Sequence, residues 1–269
     1  MSVYSETVTR PIITLITDFG ISDHFVGVMK GVILSIQPAA QVIDISHGVL
    51  PYDIPDGAFT IAQAYRYFPK KTIHVVVVDP GVGSTRRPLL AEMAGQYFIA
   101  PDNGVLSMVF AREERKVRHI TSERYFLQPI SRTFHGRDLF SPVAAHLAAG
   151  VTPAKFGKRI EDYLHADFDQ PRPAGKHAWI GAILKTDHFG NLVTNLHIDQ
   201  FPAIRTHAFA VRAGTQVITR LALTFSDCDP GELFVVVGSS GYLEVAASQA
   251  SAAETLGCGP GSPVGLTIY

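Results

Sequence analysis

The chain has 269 residues, of which 46% are hydrophobic and 17% charged, so it can bury a sizeable core and is not an intrinsically disordered segment. A formal net charge of −1 supplies no global basic field for nucleic acid or an anionic membrane. No uninterrupted apolar run approaches the ~20 residues that span a bilayer, and the N-terminus lacks the basic and apolar segments of a signal peptide. Cys228 and Cys258 lie far apart without metal-type spacing, which suits small buried side chains in a reducing cytoplasm.

Ile12 to Thr17 predicts a first buried strand ending at Asp18-Phe19-Gly20. Asp23 then precedes a helical pattern with Phe25, Val28, Met29, Val32, Ile33 and Ile36 on one face, stopped by Pro38. Val42 to Ile45 predicts a second strand, and Asp56 to Tyr67 a second helix ended by Pro69. The β-branched run from Thr72 to Val78 reads as a strand buried on both faces. This β-α-β-α-β order predicts a parallel sheet with right-handed crossovers. Leu89 to Met93 and Tyr97 to Ala100 form an expected hairpin around Gly95, and a helix is expected through Phe110. A charged connector (Arg112 to Arg118) leads to Thr133-Phe134-His135-Gly136-Arg137-Asp138, which opens a helix through Ala149.

The stretch Asp167 to Gly175, with two prolines and no apolar periodicity, reads as a linker. Beyond it come short predicted strands separated by turns: 179–184, 192–194, 208–211, 216–219, 233–237, 242–246 and 264–268. That spacing predicts an all-β unit, barrel or sandwich. The expectation is therefore two domains, an α/β domain over residues 1–170 and an all-β domain over 171–269.

Asp18, Asp44 and Asp79 follow or flank predicted strand ends, where open α/β sheets bind ligands. Such a carboxylate can accept the two hydroxyls of a ribose or simply cap a turn. Asp79 is followed by Pro80-Gly81-Val82-Gly83, a tight turn that would let Arg86 fold back over it; the alternative is an arginine in solvent. The same loop lacks the lysine and spacing of a P-loop. His135 at a helix entrance can serve as a base, a metal ligand or a turn residue. Asp187-His188-Phe189-Gly190-Asn191 and Gly238-Ser239-Ser240-Gly241-Tyr242-Leu243-Glu244 are either β-turns or an aromatic face with hydrogen-bonding partners. No local metal signature and no nucleophile elbow is present.

Taken in order, Thr17-Asp18-Phe19-Gly20, Asp79-Pro80-Gly81-Val82-Gly83 with Arg86, Phe134-His135-Gly136-Arg137-Asp138, the Asp187 loop and Ser239-Ser240-Gly241-Tyr242-Leu243-Glu244 resemble the S-adenosylmethionine hydroxide adenosyltransferase family. These are hydrolytic relatives of fluorinase and chlorinase, and the likeness runs from about Ile12 to the C-terminus. The resemblance implies a Rossmann-like N-terminal domain with a mainly parallel sheet, a C-terminal β-barrel, and a homotrimer with sites between subunits. It implies no metal and no organic cofactor. Asp79, Arg86 and His135 match the family's hydrolytic triad. Asp18 matches its ribose-binding aspartate, and Asp23 and Asp187 match groups near the methionine end. Phe189, Asn191, Ser239, Ser240, Tyr242, Glu244 and the backbone of Ala247 match the part of the site lent by the barrel. Tyr52 stands where halogenating relatives carry a tryptophan. The stretch Ser248 to Ala253 departs from the family's usual asparagine- and glycine-rich version.

The implied reaction is attack of an activated water on ribose C5′ of S-adenosyl-L-methionine, releasing adenosine and L-methionine. Two alternatives stay beside it: a halogenase on the same scaffold, and a non-catalytic sensor of S-adenosylmethionine or adenosine.

Overall fold

The computed structural model describes residues 10–168 and 170–269. They form two compact units divided between Ala166 and Asp167.

The first unit runs β1 (Ile12–Thr17), α1 (Phe25–Ile36), β2 (Gln41–Ser46), α2 (Ile54–Ala64), β3 (Ile73–Val77), β4 (Pro88–Met93), β5 (Gln96–Pro101), α3 (Ser107–Phe110), β6 (Arg115–His119), α4 (Ser141–Ala148) and β7 (Arg159–Ile160). Its strands form one sheet in the order β2-β1-β3-β5-β4-β6-β7. The β2-β1-β3-β5 half is parallel and the β5-β4-β6-β7 half antiparallel. The sheet is thus mixed. The parallel half carries the predicted crossovers, and the β4–β5 pair is the predicted hairpin.

Burial explains the central strands. Every residue of β3 is buried, as a β-branched run between two covered faces requires. Val26, Met29 and Ile33 of α1 recur at helical spacing and pack with Ile13, Leu15, Val75 and Val143 in one core. The start of α2 is earlier than the apolar pattern predicts, because the Asp53 side chain accepts the Asp56 N–H at 2.9 Å and caps the helix there. The charged connector contains a strand, β6, of which only Val117 is buried. Its long cationic side chains hide the alternation that sequence reading relies on. The predicted helix through Ala149 begins as a π-helical turn, Gly136–Phe140, before α4.

The second unit runs β8 (Arg172–Gly175), β9 (Ala178–Thr186), β10 (Leu192–His197), β11 (Phe209–Ala213), β12 (Gln216–Ile218), β13 (Leu221–Ala222), β14 (Leu233–Val237), β15 (Tyr242–Ala247), α5 (Ala252–Leu256) and β16 (Pro263–Ile268). Pairing follows the path β12-β11-β16-β9-β10-β15-β14-β13, with β8 beside β9. Ile218 of β12 and Val235 of β14, far apart on that path, share one core with Val211, Leu243 and Leu266, so the sheet curls on itself. The predicted linker contains β8, an exposed strand invisible to apolar patterning. Among the described residues no helix is long and apolar enough to cross a membrane.

Candidate active site

In the first unit, Thr17 of β1 lies opposite Val77 of β3. Asp18 and Asp79 therefore emerge at neighbouring carboxyl ends of parallel strands, where such sheets open a crevice. Asn103 Nδ2 donates to the Val78 carbonyl at 2.8 Å and fixes the strand just before Asp79. Turn bonds follow, from Val82 N to Asp79 O (3.2 Å) and from Ser84 N to Gly81 O (3.1 Å), and the Ser84 hydroxyl accepts the Arg86 N–H (3.2 Å). They bend the chain back so that Arg86 faces Asp79. Gly83 has φ +77°, and a side chain there would collide with the Arg132 carbonyl. Glycine thus lets this loop press against the segment leading to His135.

Arg86 joins the two loops. Its Nε donates to Asp79 Oδ1 at 3.0 Å and its Nη2 to Asp79 Oδ2, a paired charge-assisted contact. The same Nη2 lies 2.7 Å from His135 Nδ1. An arginine nitrogen can only donate, so Nδ1 accepts, and the neutral ring carries its proton on Nε2. The Asp79 and Arg86 side chains are 3% and 9% exposed. The guanidinium also lies 5.3 Å from the Phe140 ring centroid, on the π-helical turn. Burial first, and the Arg86 charge second, push the His135 pKa below its ordinary 6.5, with the Ser131 carbonyl among the weaker opposing partners. Asp138 accepts the Ser131 N–H at 2.8 Å and steadies that segment.

Asp18 accepts the Tyr52 backbone N–H at 2.9 Å. Its carboxyl is raised above the usual carboxylate range, by burial chiefly and by the Asp79 charge in addition, while the Tyr52 bond pulls the other way. Tyr52 holds a positive φ of 67° that turns its N–H inward and leaves the ring exposed. Asp23 is exposed just before α1.

The remaining predicted residues belong to the second unit. Asp187 organises its own loop: Oδ1 accepts Phe189 N (2.9 Å) and Asn191 N (2.8 Å), and Oδ2 accepts Asn191 Nδ2 (2.8 Å). Asn191 is buried, while Phe189 presents an exposed ring. Glu244 lies on β15 opposite Val193 and Val236, and Gly238 leaves room for its carboxyl. Burial raises the Glu244 pKa, and the Asp187 charge adds to it. Tyr242 is buried edge-on to His197, with ring centroids 5.0 Å apart. Ser239 is exposed and Ser240 half-buried at the β14–β15 turn.

Ala247 lines an open, mostly apolar pocket of about 560 Å³ together with Phe189, Asn191, Phe225, Gln249 and Ser251. Sequence reading did not single out Phe225, and it marked Gln249 and Ser251 only as part of the divergent stretch Ser248 to Ala253. A phenylalanine within the polar stretch 224–229 was the available signal. The predicted residues thus fall into a set around Asp79 in the first unit and a set around the Phe189 loop in the second. Among the described residues no three His, Cys, Asp or Glu side chains group as metal ligands would.

Comparison with known proteins adds the following. Residues 13–157 match the SAM hydroxide adenosyltransferase N-terminal domain, and residues 181–265 match the C-terminal domain of the same family. The chain is 35% identical to the (R)-S-adenosyl-L-methionine hydrolase of Salinispora tropica, over 96% of this chain and 98% of that one. It is 30% identical to a fluorinase of Nocardia brasiliensis, over 91% and 92% of the two chains. An uncharacterised conserved protein from Thermotoga maritima of known structure superposes with a TM-score of 0.88 at 36% identity, covering 95% of this chain and 99% of that one.

Proposed function

The chain belongs to the S-adenosylmethionine hydroxide adenosyltransferase family, and from that membership together with the Arg86 bridge we propose that it hydrolyses S-adenosyl-L-methionine to adenosine and L-methionine. Its relatives are named for the (R) configuration at sulfur, and we take that epimer as the preferred substrate. Methionine leaves the sulfonium as a neutral thioether, so departure needs no general acid. What the reaction lacks in solution is a nucleophile held in line with C5′. Positioning one can supply effective molarities of ~10⁵–10⁸ M in favourable cases.

The contacts of the three residues suggest separate jobs. Arg86 holds the Asp79 carboxylate from one edge, and each carboxylate oxygen keeps a lone pair for water. His135 accepts from Arg86 at Nδ1 and so cannot take a proton there without breaking that contact. Asp79 is then the acceptor of the water proton, Arg86 orients it, and His135 fixes Arg86 and borders the water. Asp18 takes the ribose hydroxyls, and Asp23 and Asp187 face the methionine end. Tyr52 lies beside the ribose. The second unit, read as a barrel, lends Phe189, Asn191, Ser239, Ser240, Tyr242, Glu244 and the Ala247 backbone to the site of a neighbouring subunit. That arrangement makes the protein a closed homotrimer. We place it in the cytoplasm, a reading supported by the free thiols of Cys228 and Cys258.

The Arg86 bridge is the observation that carries this reading. The test is chromatography after incubation with each sulfonium epimer, with and without fluoride or chloride. Adenosine and methionine appearing in both cases, at a rate halide leaves unchanged, is the expected result. A 5′-halogenated nucleoside would make the protein a halogenase. Intact substrate, bound but not consumed, would make it a sensor. Light scattering on active enzyme checks the trimer, and a fully active monomer would refute it.

A further inference from the structure

His47 is buried and lies outside the Asp79–Arg86–His135 cluster, yet both its ring Nδ1 and its carbonyl reach the segment that carries Asp18. Its Nδ1 is 2.8 Å from the Thr17 hydroxyl, one residue before Asp18. That hydroxyl in turn accepts the Phe19 N–H at 3.3 Å, one residue after it. The His47 carbonyl accepts the Gly20 N–H at 2.8 Å. On its far side, His47 Nε2 lies 3.0 Å from Asp44 Oδ1, and Asp44 Oδ2 is bound by Lys30 Nζ at 2.5 Å. The Asp44 contact is a close charge–dipole pair, poorly aligned as a hydrogen bond, since Nε2 has no well-directed acceptor. Burial would raise the Asp44 pKa, but Lys30 and His47 together hold it below the usual carboxylate range. A carboxylate facing Nε2 favours the tautomer with its proton there. Nδ1 is then the acceptor, and the Thr17 hydroxyl must donate to it. The lone pair that hydroxyl offers to Phe19 is fixed as a consequence.

We propose that His47 is a positioning residue for Asp18, its tautomer set by Asp44, so that the chain Lys30–Asp44–His47–Thr17 fixes how the carboxylate meets the ribose. The inference rests on the assignment of Asp18 to the ribose given above. A second consequence of the geometry strengthens it. His47 opens the loop whose Tyr52 N–H binds Asp18 Oδ2, so one residue anchors both the strand end bearing the carboxylate and the loop that donates to it.

The test uses full-length protein and two readouts, adenosine affinity by titration calorimetry and steady-state kinetics with S-adenosyl-L-methionine. His47→Ala should weaken adenosine binding and raise KM by about tenfold, while kcat changes by less than about threefold, the scale of coupling between touching residues. Because Ala opens space, His47→Asn and Asp44→Asn are run beside it. Asn keeps an acceptor near the Nδ1 position and should recover most of the lost affinity, and Asp44→Asn should show a milder loss of the same kind. The deciding measurement is made in an Asp18→Ala background. There His47→Ala should have no further effect on adenosine affinity, because the group it positions is gone. Equal losses with and without Asp18, or a fall in kcat at constant KM, would overturn the proposal. Failure of wild-type protein to consume the substrate while adenosine binding still follows this pattern would refute the hydrolase reading alone.

Discussion

His74 offers a stability test whose size follows from its surroundings. It is fully buried in the middle of β3, with Nδ1 2.7 Å from Thr14 Oγ1, Nε2 3.3 Å from Gln96 Oε1 and its ring 4.8 Å from that of Phe98. Burial pulls its pKa from 6.5 down to about 4, opposed only in part by Gln96. Above about pH 6.5 folded and unfolded chains both carry a neutral ring, and this residue adds no pH dependence. As pH falls below 6.5, the unfolded chain binds a proton that the folded one refuses. The fold then loses about 1.4 kcal/mol per pH unit from this residue, reaching about 3 kcal/mol near pH 4. Against a typical total of about 5–15 kcal/mol, that is a substantial share. His74→Gln keeps an acceptor and a donor but cannot titrate. Urea unfolding at fixed protein concentration should show the variant less stable at neutral pH, by about 1–3 kcal/mol for imperfect packing. Its stability should then fall more gently with acid than that of the wild type, so that the gap narrows toward pH 4. Curves that run parallel from pH 7 to 4 would refute the assignment of a neutral, acid-resistant ring.

Three predictions concern the candidate site. Asp79→Ala should keep substrate affinity within several-fold and lose at least about a thousandfold in turnover, as calorimetry beside product assays would show; equal losses would make Asp79 a binding anchor. Turnover should persist below pH 6.5 and fall only as His135 takes a proton on Nδ1, because that proton would face Arg86 Nη2; an acid limb centred above 6.5 would contradict the lowered His135 pKa. Gly83→Ala should cost at least about tenfold in kcat by displacing the Arg86 loop from Arg132, while circular dichroism stays native; an unaffected rate would show the loop to be tolerant there.

Much of this architecture was legible where burial imposes a pattern. The strands ending at Thr17 and Val77, the hairpin around Gly95 and the short strands of the second unit carry apolar runs or turn residues that report their surroundings directly. Legibility failed where polar side chains do the ordering. β6 is written in Arg115, Lys116 and Arg118, and β8 is exposed along its length, so neither shows an apolar face. The π-helical turn at Gly136 has no sequence period to announce it. The site divides in the same way. The return of Arg86 over Asp79 follows from the proline and glycines between them, which a sequence displays. That the same Arg86 nitrogen also reaches His135, 49 residues on, depends on Gly83 admitting the Arg132 carbonyl, and no local pattern encodes that approach. Asp187 matched a ligand-facing group by resemblance, yet its carboxylate accepts three hydrogen bonds from its own loop. That turn is one of the two readings the sequence of Asp187 to Asn191 allows.

The contrast between water and halide as nucleophile rests on these contacts. A halide needs a dehydrated pocket lined by donors, with no anion beside it. Around C5′ as proposed here, the first unit offers the opposite. Asp79 sits beside Asp18 closely enough that its charge helps raise the Asp18 pKa, and Arg86 Nε and Nη2 are already committed to Asp79 and His135. An arriving anion would meet a carboxylate whose neutralising cation is engaged. Water faces no such penalty, because it meets the carboxylate as a neutral hydrogen-bond donor. It gives up its proton only as its oxygen bonds to C5′ and the C5′–S electron pair leaves with the sulfonium sulfur. The negative charge that bars a halide is the one that makes water a nucleophile. Replacing Asp79 would therefore remove the acceptor of the water proton and at the same time free Arg86 Nε, leaving only the Nη2 contact to His135 in place.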